Sequence, residues 1–193
     1  MDVVLVLHNI RSCYNVGAIL RTAEGFGVSE VILSGYTPRV HDKRLLPHLR
    51  DKLDKEIHKT ALGAEELVKI ENVENLSGVS DLDGMGNLGK TEAAEDLKAL
   101  LWGYKNQGFK IVGLENNIKK DLLSLNDPIL KDKIGDKCVL ILGEEVNGID
   151  LELYDLIDVF VEIPMKGQKE SFNVSVAAGI AIYGLVFSLK RKN

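Results

Sequence analysis

Three stretches of the chain place reactive or ligand-binding residue types where a backbone changes direction. The first is Val161–Leu185, VEIPMKGQKESFNVSVAAGIAIYGL: an apolar strand-like tail ends at Ile163, Pro164 and Gly167 forbid its continuation, and Gln168 to Ser171 keep a loop wet. Ser171 or Asn173 can then cap a helix that begins near Val174. Free backbone N–H groups and capping oxygens at such a junction can receive a carboxylate, a phosphate or a ribose hydroxyl. The second is Cys138–Asp150, CVLILGEEVNGID, where an apolar run meets Gly143, two carboxylates and then Gly148. Glycine directly after a buried strand exposes backbone amides at the carboxyl edge of a sheet, the usual ligand edge of parallel α/β folds. Glu144 and Glu145 are candidates for an acid/base pair, but neighbours on extended backbone point opposite ways, so at most one is expected to face a ligand.

The third stretch is His8 to Val28. His8 to Asn15 forms a polar loop, and Asn15 stands where an N-cap belongs before VGAILRTAEGFGV. Ile19, Leu20, Ala23 and Phe26 make the buried stripe of the helix that follows, and Gly25 and Gly27 close it. Arg21 lies off that stripe, six residues from the cap and roughly 9 Å along the axis, free to face a ligand. A surface arginine paired with Glu24 or Glu30 explains the same placement.

Gly84–Thr91, GMGNLGKT, satisfies the phosphate-loop pattern G-x-x-x-x-G-K-[ST] and the shorter G-x-G-x-x-G. Such a loop must leave a buried strand, whereas NLSGVSDLD before it holds only Leu76, Val79 and Leu82 among polar and glycine residues. A run of four apolar residues ending in a magnesium-holding Asp is also missing downstream. A glycine loop that merely precedes a helix is the expectation, and ATP binding abolished by Lys90→Ala would revive the nucleotide reading. His41, His48 and His58, spaced by seven and ten, match no familiar zinc pattern and are expected to face solvent or RNA. No metal is expected.

Buried-looking runs at Val3–Leu7, Val31–Leu33, Ile111–Leu114, Cys138–Leu142 and Val159–Ile163 must carry these stretches. They alternate with helical patterns at Val16–Phe26, Leu62–Lys69, Thr91–Asn106 and Val174–Lys190. That order predicts an α/β fold, a mainly parallel sheet with helices on both faces, with a weaker edge strand at Val68–Val73. With 193 residues, 45% apolar and 27% charged, one domain over 1–193 is expected. There is no basic leader and no apolar run of spanning length, which predicts a cytoplasmic chain without a membrane partner. Two cysteines make neither a disulfide framework nor a metal cluster. A net charge of −5 and a pI near 5.4 argue against nucleic-acid binding through bulk charge. Local basic candidates are Arg39, Lys43, Arg44, Arg50 and Lys52, or the tail Lys190, Arg191 and Lys192; each cluster also reads as a solvated face.

Taken together, Asn15–Val28 (NVGAILRTAEGFGV), Leu140–Ile149 (LILGEEVNGI) and Val161–Leu185 resemble, in order, the three motifs of the SpoU/TrmH branch of the SPOUT methyltransferases. The resemblance covers essentially the whole chain. It implies methyl transfer from S-adenosylmethionine to a ribose 2′-hydroxyl of structured RNA, tRNA ahead of rRNA. It also implies a deep C-terminal trefoil knot, which physical reasoning would not suggest because chains avoid threading, and a homodimer that completes each active site. Carried onto this sequence, the cofactor positions are Leu114, Leu142, Gly143, Glu144, Ile163, Met165, Gly167, Ser171 and Phe172, and the polar active-site positions are Asn15, Arg21, Glu145, Ser171 and Asn173. Positioning should dominate catalysis, with Arg21 binding the neighbouring phosphate and stabilising charge that develops on the oxygen.

The chain departs from the family pattern at Glu144, where small residues are common, at Phe172, where leucine is usual, and in a longer stretch from Ser77 to Gly89, a probable loop insertion. No RNA-binding domain precedes Met1 in the sequence, so recognition is expected from the domain itself, its dimer groove or another protein. The alternatives are a sister enzyme that methylates a base nitrogen and a non-catalytic RNA-binding module; Asn15 and Arg21 with Ser171 and Asn173 favour ribose transfer over both.

Overall fold

The computed structural model describes residues 1–73, 89–116 and 118–188, with side chains at 89–94 and 188 left aside. In chain order the strands are β1 (Asp2–His8), β2 (Glu30–Ser34), β3 (Ile70–Asn72), β4 (Lys110–Leu114), β5 (Leu122–Ser124), β6 (Lys137–Leu142) and β7 (Val159–Glu162). The helices are α1 (Cys13–Phe26), α2 (Pro47–Ala61), α3 (Gly89–Asn106), α4 (Leu130–Ile134) and α5 (Val174–Tyr183). The strands form one sheet in the order β3-β2-β1-β6-β4-β7-β5, and every pairing is parallel. Because β1 and β6 lie inside this sheet, both their faces are covered, which is why their sequences are apolar without alternation.

Alternation is nonetheless present in what each residue touches. Val3, Leu5 and Leu7 join Ile19, Leu20, Ile57, Ala178 and Ile182 on one side, while Val4 and Val6 join Leu97, Leu101, Ile111 and Leu153 on the other. Each such aliphatic side chain contributes about 2 kcal/mol by leaving water. The first layer is α1 packed on α2 and α5, and the second is α3 with the 3-10 turn Leu151–Leu156. Burial also pushes the Cys138 thiol up to about 12, leaving it unreactive, and neither cysteine is bonded to the other.

Four details differ from the sequence-based expectation. Ser12, not Asn15, caps α1: its side chain accepts from the Asn15 backbone N–H at 3.3 Å, which moves Asn15 into the first turn. The helix expected at Leu62–Lys69 is only a 3-10 turn, Ala64–Glu66, because Leu62 (φ 52) and Gly63 (φ 94) end α2 in the left-handed region. The long helix lies instead at Pro47–Ala61, where Pro47 suits the first turn and only Ile57 and Ala61 are buried. At the C-terminus α5 passes into a π turn, Gly184–Ser188, where an unbroken helix was expected, and Lys190 itself lies outside the described residues. The glycine-rich Gly84–Leu88, the Ser77–Leu88 part of the insertion and the tail Lys190, Arg191 and Lys192 lie outside the described residues. No described helix is long and apolar enough to cross a membrane.

The α1–α2 contact depends on Gly17. A Cβ there would overlap the Ile57 carbonyl oxygen and Thr60 Oγ1 of α2. Gly17→Ala is therefore expected to destabilise the protein by about 2 kcal/mol, read as a lower urea midpoint. An unchanged midpoint would show that the two helices separate without cost.

Candidate functional site: a pocket at the carboxyl ends of β4, β6 and β7

Three strand ends open into a cavity of about 250 Å³. Its floor begins where β6 stops: Leu142 and Gly143 line it, and the chain turns back so that Glu144 and Gly148 exchange backbone hydrogen bonds of 2.9 Å each. The turn needs glycine twice. A Cβ on Gly143 would overlap the backbone of Gly148 and Ile149, and Gly148 sits at φ 71 with a carboxylate directly beneath it. That carboxylate is Glu115, which follows β4 and accepts a short hydrogen bond from the Ile149 N–H. Burial raises its pKa above the usual carboxylate value, against a partial lowering by the Ile149 and Asn116 amides. The opposite wall is the loop after β7. Asn116 ties it in place by donating to the Ile163 carbonyl at 3.3 Å and the Glu170 carbonyl at 3.2 Å.

Of the nine positions assigned to the cofactor from sequence, Leu114, Leu142, Gly143, Glu144, Ile163, Ser171 and Phe172 line this pocket. Met165 and Gly167 do not: the loop carries them past the cavity, with Met165 half-buried and Gly167 exposed. Glu144 and Glu145 both line it, contrary to the expectation that at most one would, because they enter a tight turn rather than extended backbone. Their surroundings separate them. Glu144 is buried between Arg11 (2.5 Å) and the Asn147 amide (2.7 Å), and Glu145 is exposed at the mouth.

At that mouth a hydrogen-bond chain joins residues far apart in sequence. Asn15 Nδ2 donates to Glu145 Oε1 at 3.1 Å, and Asn173 Nδ2 donates to Asn15 Oδ1 at 3.2 Å. Asn173 Oδ1 in turn accepts from Ser175 N at 2.9 Å, capping α5 as expected. Freed from capping α1, the Asn15 amide uses both ends to join the other two elements. Ser171 stands beside this chain on the pocket wall.

Arg21 is not at the pocket of its own chain. Six positions on from Asn15 it is roughly 9 Å further along α1 and turned to another face. It is exposed and, with Thr22, Gly25, Phe26 and Gly179, borders a separate open depression of about 430 Å³. Beside it runs an apolar stripe of α5 and the π turn: Val176, Ile180, Tyr183 and Phe187 are 37–53% exposed, and Phe26 stacks near Tyr183 and Phe187 at 5.9 and 5.8 Å.

Other candidates are occupied locally. Arg39 is buried and donates to the Val73 carbonyl at 2.5 Å, and Arg44 binds Asp42, so these two members of the suggested basic patch already serve the chain itself. His41 lies between Asp54 and Glu66, and His58 against Glu65. No group of three metal-binding side chains occurs among the described residues. His8 contacts Ser34 Oγ at 2.6 Å and Asp150 Oδ2 at 2.9 Å, a serine–histidine–aspartate set. Ser34 is fully buried in β2, so the set clamps the strand ends to the segment after Gly148 instead of presenting a nucleophile. Sequence reasoning missed Glu115, Asn116 and Arg11. The run Glu115–Asn116 directly after a buried strand, at the ligand edge of a parallel sheet, was the available signal.

A parallel α/β sheet whose carboxyl edge opens between glycine-bearing loops defines the class: an α/β domain with a pocket at the carboxyl ends of its strands. The model of the SpoU rRNA Methylase family matches residues 2–88 and 84–183, and the chain belongs to that family. A Xylella fastidiosa protein, 23S rRNA (guanosine-2'-O-)-methyltransferase RlmB, is 30% identical over 94% of this chain and 57% of its own length. A Borreliella burgdorferi protein described as an uncharacterized tRNA/rRNA methyltransferase is 32% identical over 98% of this chain and 64% of its own length. The chain thus spans a little under two thirds of these relatives. The fold is shared with the SpoU methyltransferase AviRb from Streptomyces viridochromogenes, solved with the cofactor AdoMet, at a TM-score of 0.70 and 18% identity over 97% of this chain and 57% of that one.

Proposed function

We propose that the chain transfers a methyl group from S-adenosylmethionine to a ribose 2′-hydroxyl of structured RNA, tRNA first and rRNA second. The observation that carries this reading is the chain Glu145–Asn15–Asn173, which joins all three motifs at the mouth of one pocket. The 2′-O specificity in the name of the Xylella relative supports the ribose, and the AdoMet in the Streptomyces structure supports the cofactor.

The residues present suit that cofactor. Gly143 and Gly148 let the turn fold closely on itself and bring its backbone to the pocket, and Leu114, Leu142, Ile163 and Phe172 offer apolar contact for a planar base. When bound, S-adenosylmethionine supplies an activated methyl on a sulfonium. The protein's part is alignment: Asn15 and Asn173 fix each other, and Ser171 together with Asn173, the α5 cap, orients the ribose. Arg21 holds the adjoining phosphate and stabilises charge developing on the 2′-oxygen, while the hydroxyl proton passes to phosphate or water.

Arg21 reaches a reaction centre only through a second copy of the chain. The α5 stripe beside it is apolar and exposed, the character of a homodimer face, and pairing there would carry Arg21 toward the partner's pocket. The C-terminal knot implied by the family resemblance belongs to the same reading.

Incubation of purified protein with methyl-labelled S-adenosylmethionine and separate total tRNA and rRNA fractions tests it. Label is expected in tRNA ahead of rRNA. Label in neither fraction, with S-adenosylmethionine bound, would favour the non-catalytic alternative.

A further inference from the structure

We infer that the pocket selects its ligand by charge, taking a sulfonium methyl donor over the neutral thioether left after transfer, and that Glu115 sets the preference. The inference rests on the reading of the pocket as a methyl-donor site. Glu115, Glu144, Glu145 and Glu170 line the cavity, and among the described residues no lysine, arginine or histidine does. Three of these carboxylates are accounted for. Arg11 reaches in from outside to balance Glu144, Asn15 holds Glu145 at the mouth, and Glu170 lies exposed on the loop.

Glu115 differs from all three. It is half-buried beneath Gly148, its hydrogen bonds come from the neutral amides of Ile149 and Asn116, and it enters no ion pair among the described residues. A carboxylate out of bulk water and without a counter-ion leaves its field for whatever fills the cavity. Its position resists relief by movement, since it also props the Gly148–Ile149 turn.

Transfer then weakens the grip by itself. The C–S bond breaks with its electron pair retained by sulfur, a C–O bond forms on the ribose, and the hydroxyl proton leaves to phosphate or water. The ligand in the pocket loses one positive charge, so the attraction of Glu115 is present before the reaction and absent after it. Glu115 is in this sense a specificity-determining residue that favours charging with donor and release of product.

Calorimetric titration of the whole protein with S-adenosylmethionine and with S-adenosylhomocysteine tests the idea. The wild type is expected to bind the donor more tightly than the product. In Glu115→Gln, which keeps an oxygen to accept from Ile149, the preference should fall roughly ten-fold, with product affinity within about two-fold of wild type. That retained product affinity also reports an intact turn. An unchanged donor-to-product ratio in Glu115→Gln would overturn the inference, as would a wild type that binds the product more tightly, whatever the fate of the variant. If neither compound binds the wild type, the methyl-donor reading falls first, and the charge argument with it.

Discussion

Arg21→Lys is expected to bind S-adenosylmethionine as the wild type does and to lose transfer by about 100-fold or more. The two halves of this expectation come from one placement. Arg21 is exposed on α1 and lines a depression separate from the pocket, so a donor held in the pocket as proposed would not touch it within the chain. Its contribution would be made across the proposed dimer, to a phosphate and a 2′-oxygen that need a planar fork of donors. Lysine supplies a similar charge but one compact ammonium, which cannot hold two oxygens in a fixed relation. Dissociation constants from calorimetry and single-turnover rates on a methyl-accepting RNA separate the effects. Wild-type turnover in Arg21→Lys would remove Arg21 from the mechanism, and lost donor binding would mean that the pocket extends to α1.

Gly143→Ala should be the most damaging single methyl in the pocket. The new Cβ would meet backbone, Gly148 C and O and Ile149 N, and not the end of a side chain that can swing away. Relief requires opening the turn, which breaks the reciprocal Glu144–Gly148 hydrogen bonds and dislodges Ile149 from Glu115. We expect a loss of about 3 kcal/mol in stability and a fall of roughly 100-fold in donor affinity. Gly103→Ala is the control, since nothing lies within 4 Å of a Cβ at that helical position. Urea midpoints and calorimetry on both variants decide the point: if Gly143→Ala binds the donor like the wild type, the turn does not shape the site.

The strands that build the sheet were legible because buried parallel strands are apolar along their whole length, as in β1 and β6. β5 and α4 were not, since three and five residues are too few to show a period. α2 was hidden for a different reason: it buries only Ile57 and Ala61, so its sequence reads as a charged loop with histidines. In the site, Asn15 was legible as a candidate but its hydrogen-bond partners were not. Ser12 takes the capping role that the local pattern assigned to Asn15, and only the approach of Asn173 and Glu145, 158 and 130 residues away, shows what the freed amide does. Glu115 was overlooked because its partners are backbone amides, and those leave no trace in side-chain spacing.

The ribose as acceptor is the central claim. Digestion of the methylated RNA to nucleosides, followed by mass spectrometry that separates 2′-O-methylated nucleosides from base-methylated ones, tests it most directly. The account predicts the transferred label on ribose alone, and label found only on bases would contradict it.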